Sequence, residues 1–182
     1  MVEFLARLLA AHRRRIGTPR GSRALGPFRQ AVLVLRWFRE AGCVHCLARE
    51  AGISQATGYR YLHEGIDLLA ARAPDLHEVL ARCREKGMTH VVLDGTLISC
   101  DRVAGATERG NDLWYSGKAK HFAGNMQFIA AHNKLLRGIR SLGERAAAEL
   151  KQRWRALQHV TISPSRIGTI AKAALVLNTS WR

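Results

Sequence analysis

The stretch from His45 to Leu62 constrains this chain more tightly than any other. Two short helical patterns flank Gly52-Ile53-Ser54, and small, turning and capping residues fall where two helices crossing over a tight turn need them. Ala48 is small at the crossing, Gly52 is free to take the left-handed conformation, Ile53 points to the core, and Ser54 is an N-cap for the second helix. The pattern predicts a helix-turn-helix. Gly58 departs from it, standing where an apolar core residue is usual, and a mid-helix glycine costs about 1 kcal/mol relative to alanine. An ordinary helical hairpin in a structural bundle fits the same spacing.

Charge narrows the choice of partner. With 29 Lys and Arg against 14 Asp and Glu, the chain carries +15 and a pI near 11.0, the electrostatic footprint of a nucleic-acid binder. Ribosomal proteins share that footprint, so charge alone names a partner class. Given it, the predicted second helix offers Ser54, Gln55, Thr57, Arg60 and His63 to double-stranded DNA. Gln and Arg suit this role because they make paired hydrogen bonds to adenine and guanine edges.

Other features exclude alternatives. No stretch reaches the roughly 18 consecutive apolar residues that span a bilayer. Arg13-Arg14-Arg15 follows the first apolar segment, whereas a secretory leader carries its positive charge before it. The expectation is a soluble, cytoplasmic protein with no membrane partner. Cys43, Cys46, Cys83 and Cys100 are too few and too dispersed for a disulfide framework in 182 residues. Cys43 and Cys46 form a CxxC, but no second pair follows at zinc-finger spacing, so reduced, apolar cysteines are expected.

Around this core the pattern predicts helices over 2–15, 28–41 (ended by Gly42), 75–86 and 165–177, and breakers at Thr18–Ser22 and Gly26-Pro27. Leu76, Val79, Leu80 and Cys83 point inward in the helix over 75–86. Val91–Ile98 is an apolar, β-branched run that reads as a buried strand, with Asp94 set into it. A carboxylate buried there needs a cation, a metal or a proton to offset its desolvation; an acid satisfied by backbone donors in a turn is the alternative. A second strand is expected at Asn125–Ala130, preceded by the basic cluster Lys118, Lys120 and His121. The chain then passes abruptly at Ala131-His132-Asn133 into a basic helix over 134–158.

Leu93-Asp94-Gly95-Thr96-Leu97-Ile98, then Asp112–Lys120, then Gly124–Ala130 together resemble the start of the catalytic domain of DDE-superfamily insertion-sequence transposases, bacterial relatives of Harbinger-type endonucleases. The helix-turn-helix is similar to that family's N-terminal DNA-binding domain, and Leu142–Trp154 resembles its final catalytic helix. The resemblance implies an α+β, mostly helical chain: a basic helix and linker over 1–26, a helix-turn-helix domain over 27–73, and an incomplete RNase H-like endonuclease domain over 74–182 with two recognisable strands. It implies two divalent cations, Mg²⁺ or Mn²⁺, held by two Asp and one Glu for in-line phosphoryl displacement. Asp94 matches the first acid and Glu144 the last, while Lys118 and Lys120 lie near the DNA phosphates. Glu144 also fits an exposed acid facing Arg137, Arg140 or Arg145 at helical spacing.

The second catalytic Asp has no counterpart, because the segment that holds it in the family is missing near 131–132. Asp101 and Asp112 read as solvated loop acids. The resemblance therefore implies a DNA-binding, nucleoid-associated relative of a transposase, impaired in strand cleavage, and acting on transposon terminal repeats as a homo-oligomer or with an intact transposase. A non-catalytic helix-turn-helix regulator of transposition is the alternative, and a general basic nucleic-acid protein a third reading. The two-strand remnant is expected to be poorly ordered, since an isolated hairpin is marginal in water.

Overall fold

The computed structural model describes residues 1–88, 90–108, 110–132 and 147–180. The chain is α+β, mostly helical, with one small mixed sheet of four strands. It divides into two compact units. The first comprises Met1–Ala73, Trp154–Ala156 and Thr169–Arg182; the second comprises Pro74–Arg153 and Leu157–Gly168. Among the described residues no helix is long and apolar enough to cross a membrane.

The first unit opens with α1 (Val2–Arg15), which buries Leu5 and Leu9 and ends in His12, Arg13, Arg14 and Arg15, cations that suit a helix C-terminus. α2 (Pro27–Glu40) starts with proline at its first turn, where no N–H partner is lost, and buries Ala31, Leu33, Val34, Leu35, Trp37 and Phe38. It stops at Ala41 rather than Gly42: Ala41 adopts φ 50° and ψ 38° and donates its N–H to the Trp37 carbonyl. A left-handed alanine carries a cost of about 1–2 kcal/mol, which the flanking helices override. α3 (Val44–Glu50) and α4 (Gln55–Ala70) follow, and α4 buries Gly58, Tyr61, Leu62, Gly65, Ile66 and Leu69, an i, i+3, i+4 stripe. Trp154 is fully buried in this unit, edge-on to Phe38 at 6.0 Å between ring centroids.

The second unit begins with α5 (Leu76–Glu85), whose N-cap Asp75 accepts the His77 N–H at 2.7 Å. Leu76 is 51 % exposed and Val79 and Leu80 are half-buried, so of the four residues expected inward only Cys83 is buried. A ten-residue helix in the first position of this unit buries a single turn's worth of stripe. β1 (His90–Cys100) pairs antiparallel with β3 (His121–His132) in a register that sets Asp94 opposite Phe128 and Ser99 opposite Ala123. β2 (Tyr115–Ser116) extends the β3 edge, and β4 (His159–Val160) pairs parallel with the end of β1. The order is β2-β3-β1-β4.

Three expectations, two for the strands and one for the basic helix, need correction. β3 begins at His121, four residues before the expected start, because it continues as far as the turn from β2. The hairpin is not isolated: two further short strands flank it, so its edges are partly paired. The basic helix does not run to 158. α6, described over 147–153, gives way to a 3-10 turn at Arg155–Leu157 and then to β4. Ala156, Leu157 and Val160 are buried there, and burial of this irregular segment outweighs its helical propensity. A second 3-10 turn, Pro164–Arg166, leads into α7 (Ile167–Thr179).

Candidate nucleic-acid interface and the Asp94 strand

The turn between α3 and α4 is built as its residues dictate. Gly52 takes φ +69°, a conformation that L side chains rarely adopt, and the Ile53 N–H returns to the Ala48 carbonyl at 3.0 Å. Ser54 caps α4: its hydroxyl oxygen accepts the Thr57 N–H at 3.2 Å, and the hydroxyl donates to Thr57 Oγ1 at 2.9 Å. Thr57 is thereby a capping partner, and its side chain is half-buried. Ile53 is half-buried rather than deep in the core.

Gly58, the apparent misfit, is what lets the two helices cross. A Cβ at that position would sit 2.8 Å from the Ala48 Cβ, and Gly58 itself is buried. The apolar side chain expected at this point is replaced by backbone contact. Gly65 does likewise farther along α4, where a Cβ would meet Val34 Cγ2 at 2.6 Å.

With its 58-61-62-65-66-69 stripe inward, α4 turns Gln55, Ala56 and Arg60 outward, all exposed, with Tyr59 and His63 half-buried beside them. Gln55 Nε2 and the Tyr59 hydroxyl both approach His45 Nε2, the latter at 3.3 Å. His63 stacks on Tyr59 at 6.4 Å between centroids. The Arg60 guanidinium lies 5.8 Å from the centre of the Tyr61 ring. Residues 55, 59 and 63 are one helical turn apart, so their alignment with His45 was implicit in the spacing; His45 and Tyr59 had no role in the sequence reading.

Arg60 also stands on the rim of an open cleft of about 360 Å³, lined by His12, Ile16, Ser22, Arg23 and Glu64. Behind the cleft lies a polar network missed from sequence. Glu64 accepts from Arg23 Nη1 at 2.8 Å and Gln30 Nε2 at 2.9 Å, with His12 Nε2 at 3.5 Å. Gln30, fully buried, also donates to the Tyr61 carbonyl at 3.1 Å and accepts from Arg13 Nη2 at 2.5 Å. Burial pushes the Glu64 carboxyl up, but the hydrogen bonds from Gln30 and Arg23 outweigh it and hold the group below its usual range. Burial and neighbouring Arg23 lower the Arg13 pKa. The signal in the sequence was Gln30 itself, a polar residue on the apolar stripe of α2.

In the second unit Asp94 is half-buried, not enclosed. It shares a face of β1 with Thr96, Ile98 and Cys100, and the last two are buried. On the opposite face Leu93 is 64 % exposed and Val91 is exposed as well, which corrects the reading of a strand covered on both sides. Gly95 N–H donates to Asp94 Oδ1 at 2.8 Å, a backbone donor as in the alternative above, but Asp94 lies within β1 and not in a turn. Among the described residues Lys151 of α6 brings a cation to this face: its Nζ donates to the Leu97 carbonyl at 2.6 Å and to Thr96 Oγ1 at 2.9 Å, and burial lowers its pKa. Sequence reasoning assigned Lys151 no role.

Lys118 and Lys120 are exposed in the turn between β2 and β3. That turn lies beyond the Ser99–Ala123 pair, five residues from the Asp94–Phe128 pair, or about 17 Å along the strands. The structure does not bring these lysines to Asp94. Asp101 accepts from His159 Nε2 at 2.7 Å and Asp112 from Arg102 at 3.1 Å, both on the surface. Glu144 lies outside the described residues. Among those that are described, no three His, Cys, Asp or Glu side chains are grouped to hold a metal ion. Compared with family models, curated proteins and solved structures, the chain gives no match.

Proposed function

We propose that this chain binds double-stranded DNA, with α3 and α4 acting as a helix-turn-helix and α4 as the recognition helix. The observation that carries the reading is the outward face of α4. A glycine-alanine crossing seals one side of the helix, and the other presents Gln55 and Arg60 to solvent. An exposed, capped helix of this kind fits the major groove, where Arg60 pairs with guanine and Gln55, once released from His45, with adenine. Ser54 and Thr57 serve by holding the first turn in shape, and His63 by supporting Tyr59. The net charge of +15 supplies attraction to phosphate, and Lys118 and Lys120 add exposed cations of the second unit.

The transposase relationship belongs to the same proposal. It rests on the motifs around Asp94 and on the register that sets them in a β-hairpin. The cleavage chemistry of such enzymes is supplied by divalent cations, Mg²⁺ or Mn²⁺. The described residues do not form a fitting cage: Asp94 stands with a backbone N–H on one oxygen, and the lysines are turned to the far end of the sheet. The reading of impaired cleavage rests on the sequence, which has no counterpart of the second catalytic Asp near 131–132, and it includes a role in which the chain occupies transposon ends as a regulator.

A retention and nicking gel tests this on DNA from the ends of the encoding element, with Mg²⁺ or Mn²⁺ and scrambled competitor. Specific retention without nicking is the expected result. Metal-dependent nicking that disappears in Asp94→Ala overturns the impaired-cleavage reading, and retention no better than on the competitor overturns specific DNA binding.

A further inference from the structure

Two of the four cysteines differ from the others in their access to solvent. Cys83 and Cys100 are buried, whereas Cys43 is exposed and Cys46 half-buried. Cys43 is the last residue before α3 and Cys46 lies in its first turn. Residues three apart on a turn have Cβ atoms roughly 5–6 Å apart, and a disulfide needs about 3.5–4.5 Å. Cys43 is instead the N-cap, with extended backbone at ψ 121°, the conformation from which a cap side chain reaches toward the second and third helical residues, and Cys46 is the third.

We propose that Cys43 and Cys46 form an exchange-competent dithiol that closes to an intrachain disulfide on reaction with a low-molecular-weight disulfide. The two thiols already influence each other in opposite directions. The Cys46 N–H and thiol and the His45 N–H lie toward the Cys43 sulfur, without forming a full cap hydrogen bond, and hold its pKa below the ordinary thiol value. The same contact with Cys43 raises the Cys46 pKa. The difference in exposure assigns the order of events: exposed Cys43 meets the small disulfide first, and half-buried Cys46 follows. Cys43 thiolate attacks one sulfur of the small disulfide, the S–S bond breaks, and one small thiolate leaves and takes a proton from water. With Cys43 held in the mixed disulfide, its thiolate no longer opposes ionisation of Cys46. Cys46 loses its proton, attacks the Cys43 sulfur and expels the second small thiolate. Two electrons pass from the protein dithiol to the small disulfide, which leaves as two thiols. Arg49, with Nη2 4.0 Å from Cys46 Sγ, favours the thiolate formed in the second step.

The test uses the full reduced chain with oxidised glutathione at neutral pH, quenched in acid and mapped by mass spectrometry. The wild type should yield a Cys43–Cys46 disulfide with no retained glutathione. Cys46→Ser should stop with glutathione on Cys43, and Cys43→Ser should react at least about tenfold more slowly. Glutathione retained on both cysteines of the wild type, or equal rates in the two single variants, would overturn the proposal. Buried Cys83 and Cys100 report on folding in the same map. A variant in which either becomes labelled is unfolded, and the wild-type product then decides alone.

Discussion

Leu62 on α4 and Leu93 on β1 are the same side chain, the first among polar neighbours and the second in an apolar run, yet the first is fully buried and the second 64 % exposed. The first unit closes its helices on one another through residues that only short-range geometry demands: a left-handed glycine, a hydroxyl cap, and glycines where helices touch. The second unit places an apolar strand in a sheet that leaves one face of its Asp94 end uncovered among the described residues. Apolar content signals that a segment will be ordered; which of its faces is covered depends on partners elsewhere in the chain.

The largest test of that contrast is a matched pair. Leu62→Ala should cost about 3 kcal/mol in chemical denaturation, the range for a fully enclosed leucine. Leu93→Ala should cost less than about 0.5 kcal/mol, as expected for an exposed position. Equal losses would erase the distinction between the two regions.

Next comes the Glu64 network. Glu64→Gln should remove about 2 kcal/mol at neutral pH, because the carboxylate satisfies buried Gln30 and Arg23. The Glu64 pKa is depressed in the folded chain, so its contribution is complete above the ordinary glutamate range and is lost as pH falls through the folded value. The stability gap between wild type and variant should therefore narrow on acidification. A gap that stays constant from neutral pH to below the normal glutamate pKa would mean the charge contributes nothing.

Gly58→Ala sharpens the account of the crossing. Helix propensity alone favours alanine by about 1 kcal/mol, but the new Cβ would stand 2.8 Å from Ala48. A net loss of about 1–2 kcal/mol in thermal or denaturant unfolding is expected, and a net gain would show that the helices separate freely. The smallest effect is expected at Ala41→Gly, where relief of φ 50° should stabilise by about 0.5–1 kcal/mol.

These contrasts also explain what was legible in the sequence. The turn at Gly52, the cap at Ser54, the Ala48 crossing and the limits of α1 follow from neighbours within a few residues, so they could be read directly. Gly58 was read as a defect because helix propensity weighs it alone, whereas its close approach to Ala48 shows only when the two helices are set against each other. The four-stranded order, the end of α6 at residue 153 and the exposure of Leu93 depend on pairing between segments far apart in the chain. So does the distance of Lys118 and Lys120 from Asp94: all three were assigned to one site by motif, and only the strand register separates them. The Glu64 network draws on α1, the loop after it, α2 and α4, and Gln30 was the single residue that hinted at it.

The claim at the centre of this account is that the outward face of α4 reads DNA. The direct measurement is the affinity of wild type and Arg60→Ala for a bound duplex and a set of its single-base variants, at two salt concentrations, with unfolding curves to show the fold intact. The account predicts a loss of about 1–3 kcal/mol confined to one base pair, with specificity relaxed there and the salt dependence little changed. Equal weakening on every duplex, with a shallower salt dependence, would make Arg60 a phosphate contact and contradict the placement of α4 as the reading helix.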